Sequence, residues 1–175
     1  VEANGRAIQA HLRAAVVLDD PSLAERAVDA LEHLVAQAYR PAAGMAHVLD
    51  ASPRVMGLLG DQVAMAETLL DAGELTGRTA YVDLALELMR SATRRLWDEP
   101  AGAFRDRVTS PAGAGDFGLL GQPAWPLDLN CAAARVLARL AAREDDDGAL
   151  RAMADRILAT FGDGWRDHLA DAVAY

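Results

Sequence analysis

The stretch DQVAMAETLLDAGELTGRTAYVDLALELMRSATRRLW, Asp61 to Trp97, decides the fold class. Val63, Ala66, Leu69, Leu70 and Gly73 recur at helical steps, which places them on one side of a helix starting near Asp61. Thr76-Gly77-Arg78-Thr79 is short, polar and glycine-bearing, so the chain turns there. Tyr81, Leu84, Leu88 and Ala92 then mark one face of a second helix, Ala80 to Leu96. Val82, Leu86 and Met89 mark another face, so this helix is expected to pack on two sides. Two helices joined by a tight turn form an antiparallel helical hairpin.

The same unit recurs outward from this stretch. Upstream, Ile8, Leu12 and Val16 are spaced by four in a helix from about Asn4 to Leu18. Asp19-Asp20-Pro21-Ser22 stops that helix, and Pro21 suits the first position of the next, which runs to about Tyr39. Downstream, a fifth helix is expected from Leu129 to Arg143, a sixth from Ala149 to Phe161, and a short seventh between Trp165 and Tyr175. A shift of 58 residues lays Leu12 on Leu70, Tyr39 on Trp97 and Ala43-Gly44 on Ala101-Gly102; a further shift of 68 lays Gln62 on Asn130. The expectation is a single domain of hairpin repeats spanning about 4–60, 61–128 and 129–175.

The connections alternate in length. Turns near Asp20, Gly77 and Asp147 are a few residues each, whereas Arg40–Gly60 and Asp98–Pro126 are far longer than helix packing requires. Because the helices alternate in direction, short turns belong on one rim and long loops on the other. Binding usually sits on long loops over a rigid frame, which makes that rim the candidate functional face. The loops also carry strand signals: Met45–Leu49 with Val55–Leu58, and Ala103–Val108 with Asp116–Leu119.

Composition narrows the function class. The 175 residues are 52% apolar but only 5% aromatic, with abundant alanine, a composition suited to closely packed helices. A net charge of −9 argues against a nucleic-acid surface. The lone Cys131 excludes an internal disulfide. No stretch approaches the roughly 18 apolar residues of a membrane span, and no signal peptide is evident, so a cytoplasmic protein is expected. Starting at Val1 within a helical pattern, the chain reads as an excised fragment.

Several segments carry a family likeness: Glu2-Ala3-Asn4-Gly5, Leu18-Asp19-Asp20-Pro21, Leu59-Gly60-Asp61-Gln62, Leu96-Trp97-Asp98-Glu99 with Gly102 and Phe104, and Pro126 with Asn130-Cys131-Ala132-Ala133. Through them the chain resembles the C-terminal helical region of bacterial proteins that carry a thioredoxin-like N-terminal domain, related to spermatogenesis-associated protein 20. More broadly it is similar to the six-hairpin toroids of glycosidases and N-acylglucosamine 2-epimerases. The resemblance implies an all-α fold of consecutive helical hairpins forming about half of an (α/α)6 toroid, with small β-hairpins in the long loops. It also implies inner helices whose starts face a sugar-binding cavity. The epimerases' catalytic histidine pair has no match here.

The candidate site residues follow from these placements. Asp61 and Asp128, at corresponding helix starts, are the candidate general acid and base for a glycosidic bond. Asn4, Gln62 and Asn130 at the same ends, His47 in the first long loop and Trp125 in the second are the candidate saccharide contacts; an indole face stacks well on a sugar ring. Asp and Asn at helix starts equally well cap backbone N–H groups, and His47 equally well packs within its hairpin. His11, His33 and His168 fit no metal-ligand spacing, so neither metal nor cofactor is expected. Two readings compete: a saccharide-binding or processing module, and a catalytically silent helical scaffold beside a thioredoxin-like domain. Half a ring leaves helix sides uncovered, so self-association or missing N-terminal hairpins are expected partners.

Overall fold

Asp20 shows how these residues make helices. Its carboxylate accepts from the Ser22 and Leu23 amides at 2.9 and 3.1 Å, with Pro21 in the first helical turn. That cap opens α2 (Pro21–Ala38) directly after Asp19, in the left-handed region at φ 51°, has closed α1 (Glu2–Leu18). The computed structural model describes residues 1–49, 55–108, 122, 124–143 and 148–162, and within them the chain is mainly helical. The remaining helices are α3 (Leu59–Thr76), α4 (Thr79–Leu96), α5 (Leu127–Ala141) and α6 (Ala149–Phe161). The expected seventh helix lies outside the described residues. No described helix is long and apolar enough to cross a membrane.

The chain divides into two compact units, Val1–Ala92 and Thr93–Tyr175, the division falling in the last turns of α4. In the first unit α1 packs on α2 and α3. Gly5 permits the close approach to α3: a β-carbon there would meet Met65 Sδ at 3.0 Å, and Thr68 Oγ1 donates to the Gly5 carbonyl at 3.0 Å. Every residue of α3 from Leu59 to Leu70 is buried, so the one-sided stripe read from the sequence understates this helix. Alanine, glycine and internally bonded polar residues make its other faces packable. Tyr81 and Arg78 both donate to Glu32, at 2.6 and 2.8 Å, linking α4 to α2.

The long loops open with strands that the sequence pattern placed differently. β1 (Tyr39–Arg40) pairs antiparallel with β2 (Gly44–Met45), Tyr39 opposite Met45. Ala42 at φ 61° and Gly44 at φ 82° fold the chain back over three residues. The expected pairing of Met45–Leu49 with Val55–Leu58 reduces to a bridge between Ala46 and Met56 and a bond from the His47 amide to the Val55 carbonyl at 2.8 Å. In the second unit β3 (Trp97–Asp98) pairs with β4 (Ala103–Phe104), Trp97 opposite Phe104, across a turn one residue longer that ends on Gly102 at φ 66°. The strand expected over Asp116–Leu119 lies outside the described residues. There α5 packs on α6, and α6 holds the hairpin through Thr160 Oγ1, which donates to the Gly102 carbonyl at 3.1 Å.

Candidate functional site

None of Asn4, Asp61, Gln62, Asp128 and Asn130 caps its own helix, and Gln62 and Asn130 reach sideways to the hairpins. Gln62, in the first turn of α3 and 2% exposed, receives the Met45 amide on Oε1 at 2.8 Å. Its Nε2 donates to the Met45 carbonyl at 3.0 Å and to the Leu58 carbonyl at 3.3 Å. Asn130, fully buried in α5, repeats the arrangement: Oδ1 accepts from the Phe104 amide at 2.7 Å, and Nδ2 donates to the Phe104 and Pro126 carbonyls at 3.0 and 2.9 Å. In each unit one carboxamide satisfies both backbone groups of the second-strand residue, which itself is fully buried. The correspondence of Gln62 with Asn130, and of Tyr39 with Trp97, is therefore a correspondence of local structure.

Asp61 is buried to 1% exposure, and both of its oxygens are engaged. Oδ1 accepts from the Glu2 amide at 2.8 Å, so α3 caps the first turn of α1, which has no side-chain cap of its own. Oδ2 lies 3.0 Å from His47 Nδ1. With Asp61 as the carboxylate, Nδ1–H is the donor, and a neutral ring keeps its lone pair on Nε2. The His47 side chain is 45% exposed, so a buried acid orients a histidine that solvent or a ligand can reach. Asn4, at the same end of α1, is exposed.

The second unit presents a different constellation. Trp125 is 41% exposed while its Nε1 donates to Asp98 Oδ2 at 3.2 Å. The same oxygen receives Arg105 Nε and pairs with the guanidinium at 3.1 Å. Burial pushes the Asp98 carboxyl up, but the Arg105 bond and charge, the Ala101 amide and the Trp125 indole outweigh it and hold the acid below its usual pKa. Asp106 fixes the residue ahead of Trp125: its amide donates to the Ala124 carbonyl at 2.8 Å, and its Oδ1 accepts the Ala124 amide at 3.1 Å. The indole is thus held by its polar edge and offers a face. Asp128, half-buried in the first turn of α5, makes no hydrogen bond or ion pair among the described residues. Trp97, by contrast, packs edge-on to Phe104 at 5.1 Å.

The structure thus brings His47 and Asp61 into direct contact and places Gln62 immediately beneath the same hairpin. Sequence reasoning missed Asp98 and Arg105 as the anchor of Trp125. Their only signal is an acid two residues past the end of the helical pattern and a cation directly after the facing strand. Cys131 is half-buried, and burial raises its thiol pKa, so it is not an activated nucleophile. Among the described residues no group of three His, Cys, Asp or Glu side chains could hold a metal. No protein-family model matches the chain, and no curated protein matches it.

Proposed function

We propose that this chain is a saccharide-binding or saccharide-processing module built as part of an (α/α) toroid, with His47 as its ligand-contacting base. The observation that carries the reading is the His47–Asp61 pair. A buried carboxylate fixes the ring through Nδ1 at 3.0 Å and leaves Nε2 to accept a proton from a sugar hydroxyl. Asp61 is a positioning residue, since neither oxygen is left for a substrate. Trp125, anchored through Asp98, supplies an aromatic face of the kind that stacks on pyranose rings. The resemblance to six-hairpin toroids supports the same class of ligand.

A thermal-shift screen against mono- and disaccharides, sugar phosphates and nucleotide sugars tests this. Ligand binding to the folded state raises the melting temperature, the stabilisation growing with the logarithm of ligand excess over Kd. One sugar class is expected to raise it in a concentration-dependent way. His47→Ala should abolish the ligand-dependent rise; it also removes the partner of Asp61 Oδ2, so the ligand-free melt should fall as well. A second reading, a silent scaffold, is favoured by the engagement of Gln62 and Asn130 with backbone groups and of Asp61 with the Glu2 amide and His47. It prevails if a cooperatively melting protein responds to no sugar.

A further inference from the structure

The short-turn end of the first unit carries an apolar surface that the saccharide reading does not use. Val16, Val17 and Leu18, the last turn of α1, are 64, 82 and 68% exposed, and Leu75 near the end of α3 is 37% exposed. Val16 and Leu75 form a ridge between two open grooves of about 560 and 480 Å³. Ala24 and Val28 of α2 continue the apolar floor of the larger groove, and Leu12 that of the smaller. Soluble surfaces rarely leave such contiguous apolar residues uncovered without a partner.

The charge around the ridge is mostly negative. Asp19, Asp20, Glu25 and Asp29 line the larger groove, and Asp71 and Glu74 the smaller. The two arginines present are already paired, Arg13 with Asp71 at 3.0 Å and Arg78 with Glu32 at 2.8 Å. Asp19, Glu25 and Asp29 form no ion pair among the described residues. The C-termini of α1 and α3 add to this field, because neither helix has a basic residue in its last turn to offset its exposed carbonyls.

We propose that this ridge and its grooves dock an apolar peptide segment flanked by lysine or arginine, presented by another protein. The apolar side chains of such a segment would straddle Val16 and Leu75, and its cations would meet the acids and the carbonyl ends of α1 and α3. Amphipathic helices seated in apolar grooves are a recurring mode of recognition, and charge at the rim sets partner choice. A second copy of this chain is a poorer fit, because its net charge of −9 opposes the acidic rim.

The test is fluorescence anisotropy with a labelled synthetic amphipathic helix of leucine and lysine, alongside a leucine–glutamate peptide of the same spacing. The lysine peptide should bind in roughly the micromolar range and more weakly as salt rises; the glutamate peptide should not bind. Val17→Asp and Asp29→Lys, both at exposed positions, should each weaken binding about tenfold or more. Asp83→Lys makes the same change of charge at an exposed position lining neither groove, and should weaken it by less than roughly threefold. Absence of binding overturns the proposal, as does equal weakening by Asp83→Lys and Asp29→Lys, which would mean diffuse attraction to an acidic protein. Self-association in sedimentation that Val17→Asp abolishes would also overturn it, giving the patch to a second copy. None of these outcomes bears on sugar binding at His47.

Discussion

Replacing Asn130 with leucine isolates the device on which the second hairpin depends. The side chains are of similar size, so the cavity term is small, but three hydrogen bonds vanish together. The Phe104 amide loses its acceptor at 2.7 Å and the Phe104 carbonyl its donor at 3.0 Å, and Phe104 is fully buried. The Pro126 carbonyl, half-buried and already receiving the Asn130 amide at 3.1 Å, is the least affected. Orphaning a buried backbone group costs about 1–3 kcal/mol, so two of them amount to roughly 2–5 kcal/mol after local relaxation. With two compact units a single unfolding free energy is a poor measure, and residue-resolved amide exchange is the better assay. The Phe104 amide should exchange roughly 30-fold faster or more, since about 1.4 kcal/mol corresponds to a factor of ten. An Asn130→Leu protein with Phe104 protection within about threefold of the parent, a loss under roughly 1 kcal/mol, would refute the claim that this carboxamide holds the hairpin.

Two further outcomes follow from the same geometry. Gly44→Ala should cost about 2–4 kcal/mol, because a β-carbon at φ 82° overlaps the Gln62 carboxamide oxygen. Gly77→Ala, at φ 71° with nothing within 4 Å, should cost only about 1 kcal/mol; equal losses in urea titrations of the two variants would show that Gln62 yields freely. Asp98 governs the acid response of the Trp125 anchor. Its folded pKa is depressed, so its contribution is complete above the ordinary carboxylate value and is lost as pH falls through the lower, folded value. Trp125 fluorescence, read with Trp97 and Trp165 replaced by phenylalanine, should therefore hold steady to about pH 4 and change below it. Asp98→Asn should remove that transition, and an unchanged profile in the variant would assign it to another acid.

The helices were legible because their determinants are local. Asp20 with Pro21 and Ser22, Gly77, and the apolar spacing of Leu84, Leu88 and Ala92 act within a few residues, so periodicity and punctuation suffice to place α2, α3 and α4. The helix starts shifted by a residue or two where Leu59-Gly60 and Leu127-Asp128 extend α3 and α5 upstream, since no capping side chain marks either end. The likeness of Gln62 to Asn130 was visible too, although 17 residues separate Gln62 from Met45 and 26 separate Asn130 from Phe104.

What those polar residues do was decided only by tertiary structure. The sequence shows Asp61 at a helix start, and a local rule makes it a cap of its own helix or a catalytic acid. The fold instead gives one oxygen to the Glu2 amide, 59 residues away, and the other to His47. The partner of Met45 was decided in the same way: alternation in Met45–Leu49 is visible and its Ala46 does bridge Met56, but Met45 itself pairs with Tyr39, the extended residue after α2. The acidic, apolar end of the first unit is likewise assembled from turns that the sequence holds far apart, Asp19-Asp20 and Leu75-Thr76. Secondary structure follows from neighbours along the chain. Which side chain satisfies a buried backbone group, and which face is left for a partner, follows from neighbours in space.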